Sequence, residues 1–128
     1  MMMVMVTARR IGLVAVMAAL LLAGCGAADL LLPPVRTDIT ATQLQAMMND
    51  GQALVILDVR TVQEYQEKHI PGSINIPVGE LEQRMGELNP NARTVCVCRS
   101  GVRSAMAADM LVGAGFTRVY NLEEGLLT

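Results

Sequence analysis

The hydrophobic positions change rhythm along the chain. Residues 11–23 form one unbroken block of 13 apolar or small residues. Beyond residue 38 the apolar runs shrink to about four residues and alternate with stretches of helical spacing. Thr40 or Thr42 is placed to cap a helix running to about Met48, closed by the turn residues Asn49-Asp50-Gly51. Leu54-Val55-Ile56-Leu57 is wholly apolar, as expected of a strand buried on both faces of a parallel sheet, and Asp58 ends it. A short helix over 61–68 follows, then a turn at His69-Ile70-Pro71-Gly72 and a strand over 73–76 stopped by Pro77. Residues 78–88 have helical spacing, broken by Asn89-Pro90-Asn91. A third strand covers 94–97, a glycine-containing loop 98–103, a helix 104–112 ending at Gly113 and Gly115, and a last strand 118–120. Short strands alternating with helices predict an α/β fold, an open sheet of mainly parallel short strands flanked by helices.

The long apolar block is an address. Arg9 and Arg10 precede it as a basic n-region. At about 1.5 Å per residue it falls short of a hydrocarbon core of about 30 Å, so it is expected to serve as a signal peptide over residues 1–24. It ends in Leu22-Ala23-Gly24-Cys25, which resembles the lipobox of bacterial lipoproteins. That resemblance implies lipidation of Cys25, a membrane anchor in the cell envelope facing the periplasm, and, since Gly26 is not Asp, sorting to an outer membrane where one exists. An ordinary signal peptide with a chance Cys, or a short membrane anchor, is the alternative. Residues 25–37, with Pro33-Pro34, are expected to be a tether, and 38–128 the folded domain.

Composition narrows the classes further. Without Arg9 and Arg10 the chain has eight basic against twelve acidic residues and no basic stripe, so nucleic acid is not an expected partner. Aromatic residues make up only 2%, with no Trp, so the core must be aliphatic. Three cysteines match no disulfide framework, and no cluster has metal-ligand spacing, so neither a metal nor a cofactor is expected.

The candidate chemistry lies in Cys98-Arg99-Ser100-Gly101-Val102-Arg103-Ser104, between a buried strand and a helix. Ligands of open α/β sheets bind outside the carboxyl ends of the strands. A loop curling into a helix there points its N–H groups inward and makes an anion cradle. Those groups, with the guanidinium charges of Arg99 and Arg103, are expected to favour the Cys98 thiolate, a nucleophile able to carry a sulfane sulfur. Asp58, Arg60 and Ser104 are expected to support the pocket, Asp58 and Arg60 as an ion pair bracing the loop.

Several segments together resemble one family. Asp58-Val59-Arg60, Glu64-Tyr65 and His69-Ile70-Pro71-Gly72-Ser73-Ile74-Asn75-Ile76-Pro77 look like the first signature of rhodanese domains. The Cys98 loop resembles their active-site loop, and Ala114-Gly115-Phe116 with Val119-Tyr120-Asn121-Leu122-Glu123 their closing segment. The resemblance covers about residues 38–128. It implies a sulfurtransferase in which Cys98 takes sulfur from a small anionic donor such as thiosulfate and passes it to a thiol or cyanide. Arg99 and Arg103 would orient the donor, and the N–H groups of residues 99–103 (Arg99, Ser100, Gly101, Val102, Arg103) would act like an oxyanion hole. A monomer is expected. Related phosphatases have a Cys-x5-Arg loop, one residue longer; the Cys-x4-Arg spacing here favours sulfur. The family pattern continues with a Gly-Gly pair and an apolar helix bearing a Trp, whereas this sequence has Glu124-Gly125 and ends at Thr128, so a reduced pocket wall is expected.

Other residues have plainer readings. Cys96 lies mid-strand and is expected to pack in the core, although it shares a strand face with Cys98 and could act as a resolving thiol. His69 is expected to fix a turn rather than act as a base. Two other functions stay open: a non-enzymatic binding or redox-sensing module, and a phosphatase or arsenate reductase on the same fold.

Overall fold

The computed structural model describes residues 33–126. The expected signal peptide, the lipidation site Cys25 and the tether up to residue 32 lie outside the described residues. Five strands, β1 (Thr37–Ile39), β2 (Val55–Asp58), β3 (Ile74–Asn75), β4 (Thr94–Val97) and β5 (Val119–Leu122), form one sheet. Their order is β1-β5-β4-β2-β3 and every neighbouring pair is parallel. The helices are α1 (Ala41–Asn49), α2 (Val62–Glu67), α3 (Leu81–Arg84) and α4 (Val102–Gly113). The expected α/β architecture with an open sheet of parallel strands is the one observed.

The two central strands are apolar because both sheet faces are covered. On one face Leu57, Cys96 and Cys98 pack with Ala107, Ala108 and Leu111 of α4 and with Leu81. On the other, Ile56, Val95 and Val97 pack with Leu44 of α1, Ile39 and Leu122. Local chemistry sets the helix starts. The Thr40 hydroxyl accepts from the Gln43 N–H at 3.2 Å, while the Gln43 side chain accepts from the Thr40 N–H at 2.8 Å, a reciprocal cap on α1. Thr61 caps α2 by accepting from the Glu64 N–H at 3.2 Å.

Five elements differ from the sequence-based expectation. β1 was not expected: only Ile39 of its three residues is buried, and the strand exists because β5 offers an edge, with Asp38 opposite Asn121. The segment 78–88 is not one helix but α3 between two 3-10 turns, Val78–Glu80 and Met85–Glu87. Gly79 and Gly86 weaken helix propagation, and burial of Leu81 with packing of Val78, Met85 and Leu88 on the core holds the segment instead. β3 is two residues long rather than four. The last strand begins one residue later than expected and runs to Leu122, and α4 begins two residues earlier, which draws Arg103 and Ser104 into its first turn.

Candidate active site

After β2 the chain crosses to β3 on one side, and after β4 it crosses to β5 on the other. The carboxyl ends of β2 and β4 therefore flank the topological switch point of the sheet, where ligands of such folds bind. The register sets Asp58 beside Val97, and the Val59 N–H donates to the Val97 carbonyl at 3.0 Å. Cys98 follows β4 directly, and its side chain is wholly covered, at 0% exposure.

The loop after Cys98 folds back on the sulfur. Gly101 has φ 90°, a left-handed conformation that glycine adopts without a steric cost, and it turns the chain into α4. The turn aims the N–H groups of Gly101 and Ser104 at Sγ, at 3.1 and 3.3 Å. Sγ and the Ser104 hydroxyl are 3.3 Å apart; the thiol donates to Oγ, and once it ionises the hydroxyl donates to the sulfur. Burial pushes the Cys98 thiol up, but hydrogen bonds from the Ser104 hydroxyl and from the N–H groups of Ser104, Ser100 and Gly101 outweigh it and hold the thiol below its ordinary value. The positive end of α4 adds to the same effect. Cys96, two residues back on the same face, is the opposite case: burial, then the charge of Cys98, push it up to about 12.

The two arginines expected to orient the donor sit in different surroundings. Arg99 is exposed, and among the described residues its side chain makes no hydrogen bond or ion pair. Arg103 donates through Nη1 and Nη2 to both carboxylate oxygens of Glu64, at 2.9 and 3.0 Å. Cys98 is thus stabilised chiefly by amide and hydroxyl donors, with Arg103 a weaker electrostatic contributor. Glu64 was not singled out as a site residue, because no local spacing rule links residues 39 positions apart.

Asp58 and Arg60 form the expected ion pair. Arg60 donates to the fully buried Asp58 carboxylate through Nε at 3.0 and 3.1 Å and Nη2 at 2.7 Å, and to the Lys68 carbonyl at 2.7 Å. Asn75 donates to the carbonyls of both residues at 3.0 Å. His69 stacks on Tyr65, ring centroids 3.7 Å apart, with Nδ1 2.7 Å from the Tyr65 carbonyl, and the Tyr65 hydroxyl donates to the Ser73 carbonyl at 2.6 Å. These contacts place His69 in the turn. Ser100 and Val102 are exposed. Among the described residues no group of three His, Cys, Asp or Glu side chains could hold a metal ion.

The loop is closed from the C-terminal side. The Leu126 N–H donates to the Cys98 carbonyl at 2.8 Å. A Cβ on Gly101 would collide with the Glu123 carbonyl, and a Cβ on Gly125, itself at φ 71°, would collide with the Arg99 carbonyl. The two backbone segments touch where side chains would otherwise be.

A thiol held among N–H donors at the switch point coincides with a family match: the rhodanese-like domain matches residues 40–127. The chain belongs to the rhodanese-like domain family. The thiosulfate sulfurtransferase GlpE of Pseudomonas savastanoi pv. phaseolicola is 36% identical over 87 residues, covering 68% of this chain and 80% of that protein. YrkF of Bacillus subtilis is 40% identical over 89 residues, 70% of this chain and 48% of that protein, so this chain spans about half of that relative's length. A rhodanese-like domain protein of Staphylococcus aureus is similar in crystal structure, with a TM-score of 0.66 at 30% identity, covering 70% of this chain and 87% of that one. Relatives of this rhodanese-like chain are thus named as sulfurtransferases, and the Cys98 loop occupies the carboxyl edge of its sheet.

Proposed function

We propose that the chain is a sulfurtransferase that moves sulfane sulfur from thiosulfate or a persulfide to a thiophilic acceptor, a thiol or cyanide, through a persulfide on Cys98. The observation that carries this reading is the set of donors on Sγ, the Gly101 N–H, the Ser104 N–H and the Ser104 hydroxyl. The Cys98 thiolate attacks the outer sulfur of thiosulfate; the new S–S bond forms as the donor's S–S bond breaks, and sulfite leaves with the electron pair. The acceptor then attacks the outer sulfur, and Cys98 departs as the thiolate its donors stabilise. Asp58 and Arg60 keep the neighbouring strand end rigid. The test is intact mass after incubation with thiosulfate: one added sulfur on the wild type and none on Cys98→Ser. An unmodified wild type overturns the proposal.

The complete cover over Cys98 favours a second reading, a non-enzymatic binding or redox-sensing module. The same experiment separates the two, because such a module takes up no sulfur from thiosulfate.

The lipobox-like Leu22-Ala23-Gly24-Cys25 supports placing this activity in the cell envelope on a lipid anchor facing the periplasm. Incorporation of labelled palmitate into the full chain, lost in Cys25→Ser, tests that placement.

A further inference from the structure

The Arg103 guanidinium, in the first turn of α4, feels the charge of Cys98, yet a carboxylate already holds it. Glu64 takes both of its forward N–H groups in a two-pronged pair. The Thr61 hydroxyl, 3.2 Å from Glu64 Oε1, and the Thr61 cap on the Glu64 N–H fix the acid at the start of α2. The pair is partly open to solvent, with 33% of the Arg103 side chain and 30% of Glu64 exposed, so it stands within reach of an incoming donor. Asp58 and Arg60 form a second pair close by, and Arg60 feels the charges of both Glu64 and Arg103. Each of these two cations is therefore matched by an anion. An anionic donor gains from Arg103 only by displacing Glu64 or by approaching a guanidinium whose field is already neutralised, and a doubly charged donor forgoes the most attraction.

We infer that Glu64 is a specificity-determining residue, an internal counter-ion that occupies Arg103 and biases sulfur uptake away from dianions such as thiosulfate and toward persulfides of low charge. This rests on the sulfurtransferase reading and names the donor class for it. Glu64 acts through Arg103, as a positioning residue. Its carboxyl is held at about 2 by the Arg103 hydrogen bonds, so the mask stays ionised at neutral pH.

The rate of Cys98 persulfidation, followed by quenched intact mass against donor concentration, tests this with two donors: thiosulfate, and 2-hydroxyethyl persulfide, which carries no charge beyond its own terminal sulfur. Glu64→Gln keeps side-chain length and removes the charge. It should lower the half-saturating thiosulfate concentration by about fivefold, the scale of a partly exposed ion pair. The maximal rate and the half-saturating persulfide concentration should each stay within about twofold. Glu64→Ala should move the same way, so the test stands if one variant folds poorly. In an Arg103→Gln background, Glu64→Gln should bring no gain in thiosulfate binding. Unchanged thiosulfate saturation, equal gains for both donors, or the same gain without Arg103 would overturn the inference and leave the sulfurtransferase reading intact. A wild type that takes sulfur from neither donor would remove both.

Discussion

Ser104 places two donors on Cys98 Sγ, its backbone N–H and its hydroxyl, each 3.3 Å from the sulfur. It can do so because α4 starts at Val102 and carries Ser104 over the sulfur in its first turn. The hydroxyl can rotate as the thiol ionises, whereas the amides cannot. Ser104→Ala should raise the midpoint of the Cys98 alkylation-versus-pH curve by about one unit and slow alkylation at pH 7 about tenfold. Initial rates with iodoacetamide from pH 5 to 10 check this; an unmoved midpoint would show that the amides alone set the thiolate.

The two neighbouring thiols should behave oppositely. Cys96 is held up to about 12 by burial and Cys98 is held below the usual thiol range. Brief labelling of the native protein at pH 8, followed by peptide mapping, should find the label on Cys98 and not on Cys96. Both should label after denaturation.

Asp58 is fully buried and its partner Arg60 nearly so, with 11% of its side chain exposed. Asp58→Asn leaves the guanidinium without its counter-charge and should cost about 3 kcal/mol, read from the urea unfolding midpoint. A loss below about 1 kcal/mol would mean that water reaches Arg60 freely.

Acid stability follows from Glu64, whose carboxyl falls from 4.5 to about 2 through its hydrogen bonds with Arg103. A carboxyl lowered by folding stabilises the native state in full above its unfolded value. That contribution fades as pH drops from about 4.5 toward 2. Glu64→Gln should flatten the stability curve across this window and leave its slope above pH 6 unchanged, as thermal melts at a series of pH values would record.

The parts legible in the sequence were those encoded by neighbours along the chain. Val55-Ile56-Leu57 and Thr94-Val95-Cys96-Val97 announce central strands because each residue faces a covered side of the sheet. The Cys98 loop is contiguous, so its cradle follows from six residues and a helix start. β1 was hidden because a single buried residue, Ile39, gives no periodicity, and its pairing comes entirely from β5. The grip of Glu64 on Arg103 was hidden for a related reason: α2 and α4 meet only once the sheet has ordered them. Counting arginines near a cysteine gave the sign of the local charge but not its neutralisation.

Gly101 and Gly125 each press backbone against backbone across the same seam. Contacts of that kind have no soft component, since peptide groups cannot swing aside as side chains do. The sulfur-bearing loop and the closing turn therefore form one mechanical body. A donor that must lift the loop to reach Cys98 therefore has to shift the turn at residues 123–126 as well.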